Sequence, residues 1–238
     1  MNITQRSRAS PPEPLHNCQA CPVRDVSVCS TLDADSFAEL TSIGMELSIP
    51  AQTTLFNEGD PVHSVYSVVR GVLRDFRIMP DGQRQLVGFT LPGELVGAPL
   101  GPTQPYSADT LGPVVVCRFP RSAFWDCFSR TRRSVQGIYG SAAHDLSLVY
   151  DQLSLLGARS AERKVASFLV GFRDRWHRGG AGSLVPLPMT RQDLGDYLGL
   201  GISTVSRTLT ALARRHLIVI VPGGVRILDH ARMEELTR

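Results

Sequence analysis

Five cysteines stand in this sequence, and four of them are placed where thiolates could share one inorganic centre. Cys18, Cys21 and Cys29 follow one another with two and then seven residues between them, and Cys117 lies far downstream, closing the β-branched run Val114-Val115-Val116. Thiolates hold zinc or an iron–sulfur cluster, and spacing alone does not separate the two. A structural zinc more often draws its ligands from two compact Cys-x2-Cys pairs, and the second pair is missing. Three ligands on an N-terminal arm and one on a strand make a site that is easily taken apart, which suits a sensor better than a staple. A redox-active Cys-x-x-Cys would need a thioredoxin-type strand-to-helix setting, and nothing near Cys18 supplies one. Cys127 follows Trp125-Asp126 in a helical stretch and reads as a small buried hydrophobe outside the set.

A second group of residues is suited to reading DNA. Thr190 can cap a helix over 191–198, with Asp193 three residues on at the positive end of its dipole. Gly199-Leu200-Gly201 turns the chain into a second helix over 202–212. Val205, Leu209 and Leu212 form its inner stripe, while Ser203, Ser206 and Arg207 project from its first two turns. In a helix-turn-helix the start of the second helix enters the major groove. Arg207 can reach both acceptors of a guanine, and Ser203 and Ser206 suit a base edge or a phosphate. Thr190, Arg191 and Thr204 complete the expected DNA-facing set. Two β-branched runs around Pro222-Gly223-Gly224 predict a small hairpin, the wing of a winged-helix domain.

These groups need elements to hold them. Residues 1–17, rich in Pro, Ser and Arg, predict a mobile tail before the cysteine segment. Residues 33–44 predict a short amphipathic helix carrying Phe37, Leu40 and Ile43. From Met45 to Pro120, short β-branched and aromatic runs alternate with turn signals such as Asn57-Glu58-Gly59-Asp60-Pro61 and Leu91-Pro92-Gly93-Glu94. About eight strands in that stretch predict a compact β-roll or jelly roll. Asp81-Gly82 is expected to supply positive φ angles for a tight hairpin between Phe76-Arg77-Ile78 and Gln85-Leu86-Val87.

From Arg121 to Gly157 there is no proline, and helix formers dominate. Tyr139, Ala142, Leu146, Val149, Leu153 and Leu156 recur at spacings of 3, 4, 3, 4 and 3, a heptad seam. That seam predicts pairing with a copy of itself; the alternative is one helix packing on its own roll. A further helical pattern carries Val165, Phe168, Leu169 and Phe172 to the turn Gly179-Gly180-Ala181-Gly182. The expected organisation is an arm over 1–30, a roll over 31–120, a dimerisation helix over 121–158 and a DNA-binding domain over 159–238. The fold class is α+β: an N-terminal β-roll (jelly roll) sensor domain, a long dimerisation helix and a C-terminal winged helix-turn-helix.

At 238 residues with 42% hydrophobic content, the chain can bury ample core. No apolar run approaches a membrane span, and the N-terminus lacks the apolar stretch of a secretory signal, so a cytoplasmic protein without a membrane partner is expected. Thiols there stay reduced and open to metals. The net charge of +3 is modest, but Arg191, Arg207, Arg214, Arg215 and Arg226 cluster in the last fifth. No convergent Ser/His/Asp set or carboxylate pair sits in a recognisable setting, and the six histidines are scattered, so an enzyme is not expected. Together the thiols and the reading helix predict a regulator whose inorganic centre decides whether DNA is bound.

The run Thr190-Arg191-Gln192-Asp193, Tyr197-Leu198-Gly199-Leu200 and Thr204-Val205-Ser206-Arg207 resembles the DNA-binding domain of the cyclic-AMP receptor protein/FNR superfamily. FNR is the fumarate and nitrate reduction regulator. The likeness extends over roll, long helix and winged domain. The FNR branch reads DNA through Glu-x-x-Ser-Arg, whose last two positions match Ser206 and Arg207, while Ser203 replaces the Glu. The resemblance therefore implies palindromic half-sites of the TTGAT type, with altered preference at the base facing Ser203.

Three N-terminal cysteines with a central one in the roll is also the pattern of FNR-type oxygen sensors, the seven-residue gap being similar to the FnrN/FnrL variants. This implies a [4Fe–4S] cluster ligated by Cys18, Cys21, Cys29 and Cys117, lost in oxygen together with the DNA-competent homodimer. It also implies that Asp151 opposes subunit association along the seam, and that the Met79–Arg84 hairpin and other roll loops can touch RNA polymerase. Cyclic-nucleotide pockets of the superfamily pair Gly-Glu with a later Arg-Ser. Gly93-Glu94 is present, but the later pair falls at Tyr106-Ser107, leaving no arginine for a phosphate, so no cyclic nucleotide is expected. A zinc site, a thiol switch, or another small effector in the roll are the alternative inputs for the same DNA-binding protein.

Overall fold

A computed structural model describes residues 13–14, 18–97, 101–158, 160–177 and 182–238. The remainder of the expected tail and Gly179-Gly180-Ala181 of the glycine turn lie outside the described residues. The chain divides into two compact units, Met1–His144 and Asp145–Arg238.

In the first unit a two-residue strand, β1 (Glu13–Pro14), precedes three short 3-10 turns at 18–20, 24–26 and 28–31. Helix α1 (Ala34–Ile43) starts where Asp33 accepts a hydrogen bond from the Ser36 amide at 2.8 Å. Eight strands follow: β2 (Met45–Ile49), β3 (Thr54–Phe56), β4 (Ser64–Arg70), β5 (Leu73–Ile78), β6 (Arg84–Thr90), β7 (Leu95–Val96), β8 (Ser107–Thr110) and β9 (Val114–Pro120). They form two sheets, ordered β1-β2-β9-β4-β7 and β3-β8-β5-β6. Alternating inward residues of both sheets, among them Ile49, Val68, Val116, Leu73 and Ala108, bury one core between them. A second core joins Leu40 of α1 to Val65, Phe119, Phe124 and Phe128, with Cys29 and Cys117 packed on its edge.

Two local expectations are corrected. In the β5–β6 hairpin only Gly82 takes a positive φ, +80°. Asp81 instead accepts from the Gln83 amide at 3.0 Å, and the Gly82 amide bonds to the Met79 carbonyl at 2.8 Å. The loop is thus wider than a two-residue turn. The expected single helix over 121–158 is two: α2 (Arg121–Ser129) and α3 (Arg132–Gly157). Thr131 restarts the helix, its hydroxyl accepting from the Ser134 amide at 3.2 Å, while the buried Ser134 hydroxyl donates to the Phe128 carbonyl at 3.0 Å.

The second unit holds the C-terminal turns of α3, then α4 (Ala161–His177), β10 (Leu184–Pro186), α5 (Arg191–Leu198), α6 (Ile202–Arg214), β11 (Ile218–Val221), β12 (Gly224–Ile227) and α7 (His230–Glu235). The wing is three-stranded, β10-β12-β11, since Val185 pairs with Val225 on the free edge of the expected hairpin. Val165, Leu169 and Phe172 of α4 join Leu194, Leu198, Leu209 and Leu212 among the fully or nearly fully buried residues. Among the described residues, no helix is long and apolar enough to cross a membrane.

Candidate metal centre and nucleic-acid interface

Sequence separation brings the four thiols to one place through the sheet. Cys117 lies on β9, the strand between β2 and β4, opposite Glu46 on one side and Ser67 on the other. The 3-10 turns fold the arm over that strand, and Cys18, Cys21, Cys29 and Cys117 all line one cavity of about 30 Å³. Its walls are largely apolar: Val23, Phe37, Leu40, Val69 and Phe119. Arg24, the one charged wall residue among the described residues, lies with its guanidinium 4.3 Å from the centroid of the Phe37 ring. Cys127, on α2, lies outside this cavity, fully buried in the core that α2 shares with Leu40 of α1.

Burial dominates the ionisation of these thiols. It pushes Cys29 up to about 11 against a hydrogen bond from Ser27, and it raises Cys117 and Cys18, with the neighbouring thiols adding their own repulsion. Four thiolates in so apolar a space need a cationic core to neutralise them, and binding one would release protons. Among the described residues no group of three or more His, Cys, Asp or Glu side chains is set to hold a metal ion. What the four share is a cavity rather than a single point. An all-thiol donor set with no carboxylate in its wall suits zinc or an iron–sulfur cluster and not a hard cation.

The arm that carries Cys29 is also seated on α3. Arg133 donates to the Ser30 carbonyl at 2.9 Å, Thr31 fills the space beside Gly137, where a Cβ would lie 2.3 Å from its hydroxyl oxygen, and Ile138 packs on the core that includes Cys29 and Cys117. Sequence reasoning missed these three residues, because only the fold brings α3 back to the arm.

The expected seam residues are exposed on the single chain: Tyr139 72%, Leu146 51%, Val149 53%, Leu153 61% and Leu156 41%. Tyr150 joins them at 60%, and Asp151 is exposed beside them. A helix face this apolar and this open is of the kind that interaction surfaces present. The turn residues of the roll are spent within it. Glu94 is buried, accepts from the Leu91 amide at 2.9 Å and faces His144 Nε2 at 3.3 Å. Ser107 accepts from the Glu58 amide at 2.9 Å.

In the second unit, Thr190 and Asp193 form a reciprocal capping box, each side chain accepting from the other's amide at 3.0 Å. Gly199, at φ +62°, ends α5 in the left-handed conformation. The buried Lys164 donates to the Leu198 carbonyl at 3.0 Å, and Gln152 donates to that of Tyr197, so both hold the C-terminal end of α5. Gly195 escaped sequence reasoning: a Cβ there would sit 2.5 Å from the Leu200 carbonyl, so only glycine lets α5 and α6 approach. Along α6, Val205, Leu209 and Leu212 are buried while Ser203, Ser206 and Arg207 are exposed, and Thr204 is half-buried. Arg191 is half-buried beside Thr190, and burial lowers its pKa.

The cap gives a direct test of how α5, the first helix of the helix-turn-helix, is held. Thr190→Ala should lower the unfolding free energy in denaturant titration by about 1 kcal/mol, and Thr190→Ser should restore it. An unchanged midpoint in Thr190→Ala would remove the capping box from the account.

A family profile described as a Crp-like helix-turn-helix domain matches residues 163–236, and one described as a cyclic nucleotide-binding domain matches 46–131. The nitrogen fixation regulation protein FixK of Bradyrhizobium diazoefficiens is 44% identical over 222 residues, 93% of this chain and 94% of that protein. The transcriptional activator protein FnrL of Cereibacter sphaeroides is 33% identical over 232 residues, 92% of this chain and 94% of its own. Among solved structures, FixK2 of Bradyrhizobium japonicum superposes with a TM-score of 0.75 at 29% identity, covering 82% of this chain and 98% of that one.

Proposed function

The chain belongs to the CRP/FNR family of DNA-binding transcription regulators, and from that premise we propose that it is a homodimeric, cytoplasmic oxygen sensor governed by a [4Fe–4S] cluster on Cys18, Cys21, Cys29 and Cys117. One observation carries the reading: all four cysteines, a hundred residues apart in part, line a single apolar cavity, and the arm bearing Cys29 is docked on the first turns of α3. When bound, the cluster supplies an oxygen-labile link among four thiolates.

The protein's own residues do the rest. Cys18, Cys21 and Cys29 tie the arm to Cys117 of the rigid strand β9, while Arg133, Gly137 and Ile138 receive the arm on α3. A fixed arm steadies the helix whose seam, Tyr139, Leu146, Val149, Leu153 and Leu156, meets a second copy. Asp151 sets the threshold by placing like charges across that seam. The paired subunits then present two copies of α6 to a palindrome, with Arg207, Ser206, Ser203 and Thr204 at the bases and Thr190 and Arg191 at the backbone. The Met79–Arg84 hairpin, with Met79 exposed, is the face offered to RNA polymerase.

The experiment is operator binding by protein prepared without air, repeated after exposure to air. Tight binding that air abolishes supports the reading; binding indifferent to air contradicts it. Asp151→Ala should tighten the dimer in air by up to about tenfold, equivalent to roughly 1.4 kcal/mol. An unchanged sedimentation profile would remove Asp151 from the threshold.

A further inference from the structure

A cavity of about 340 Å³ opens within the second unit, between the last turns of α3, one face of α4 and the Tyr197 end of α5. None of its residues takes part in the thiol centre or the reading surface. Its volume falls in the range of small-molecule sites, which are mostly apolar with a few placed polar groups. The floor is aromatic and buried: Phe168, Phe172 and Tyr197. Two guanidinium groups, Arg163 and Arg175, stand on the same face of α4, against the single carboxylate of Asp151 from α3. Arg173, on the same helix, pairs with Asp174 at 2.6 Å and with Glu234 at 3.5 Å. Arg163 makes no ion pair among the described residues.

A second, independent observation concerns Gly171, in the middle of α4 and in the wall of the cavity. Glycine is the poorest helix former other than proline, so a mid-helix glycine needs a reason. Close packing is not it, because a Cβ at Gly171 would meet nothing within 4 Å. Nor does its backbone need a positive φ. Gly171 is exposed at the mouth of the cavity, where a larger side chain would have room to lie across it.

We propose that this cavity is a ligand site for a small organic anion with a flat apolar body, its carboxylate on Arg163 and its ring against Phe168, Phe172 and Tyr197. Such a ligand bridges the seam end of α3 to the helices that carry the reading domain. Its affinity and that of the operator are therefore linked, each altering the other by the same factor. This input is separate from the thiol centre and stands whether or not iron is bound there.

The test is isothermal titration of 2-naphthoate into the full chain. Saturable binding at one site per protomer is expected, weakened about tenfold in Arg163→Gln through loss of a charge-assisted hydrogen bond. Gly171→Leu should fill the cavity and abolish binding, while its thermal midpoint stays at or above that of the parent, which shows that the variant folds. Failure of 2-naphthoate to bind, or equal binding to the parent and Gly171→Leu, as adsorption on the exposed α3 seam would give, overturns the proposal.

Discussion

Replacing Arg207 by alanine should erase sequence discrimination while leaving the fold and the weak, salt-sensitive attraction to any DNA in place. Arg207 is exposed on the second turn of α6, opposite the buried stripe of Val205, Leu209 and Leu212, so its removal disturbs no packing. A guanidinium bidentate to guanine contributes about 1–3 kcal/mol of discrimination, and a palindrome is read twice. The matched operator should therefore lose on the order of a hundredfold or more in affinity, falling to the level of unrelated DNA. Ser203→Glu should act in the opposite sense, strengthening binding to TTGAT-type half-sites, because a carboxylate accepts from a cytosine amine and serine both donates and accepts. Fluorescence anisotropy on matched and scrambled operators at one salt concentration separates these effects. Equal binding of both variants to every operator would mean that α6 is not the reading helix.

Cys117→Ser is expected to empty the metal centre of protein prepared without air. Cys117 is the one thiol of the four on a sheet strand, paired in register with Glu46 and Ser67, so the sheet fixes its position. A serine hydroxyl is a hard, reluctant ligand for iron in place of a soft thiolate. Bound iron should drop about tenfold or more, in line with the dependence of cluster binding on thiolate ligands, and operator binding without air should fall with it. Cys127→Ser provides the contrast: Cys127 is buried against Phe124 and Phe128, outside the cavity, and its variant should keep its iron. Loss of iron from both variants alike would point to a general folding defect, and retention in Cys117→Ser would take that residue out of the centre.

How far each feature could be read from the sequence depends on the range of the forces that shape it. The seam of α3 and the inner stripe of α6 are periodic, so burial on one face writes them directly into the chain. The capping box of Thr190 and Asp193 is a contact over three residues and is equally plain. The four cysteines announce themselves by type, but the cavity walls do not: Phe37 and Arg24 come from local segments, whereas Val69 and Ser67 arrive on β4 through pairing with β9. The break between α2 and α3 was hidden because Arg130 and Thr131 are ordinary helix residues. Only the buried hydroxyl of Ser134, tied to Phe128, makes Thr131 a cap and not an interior position. Gly195 looks like a defect in α5 until the Leu200 carbonyl is seen against it. Strand β10 has three residues and gains its partner, β12, from forty residues away.

The central claim is that Cys18, Cys21, Cys29 and Cys117 bind one iron–sulfur centre that controls subunit pairing. Iron and acid-labile sulfide, measured on protein purified without oxygen and alongside its sedimentation, test it most directly. The account predicts brown protein with about four irons and four sulfides per protomer, sedimenting as a dimer that dissociates as its colour bleaches in air. Colourless protein without iron or sulfide that still pairs and holds its operator would contradict it.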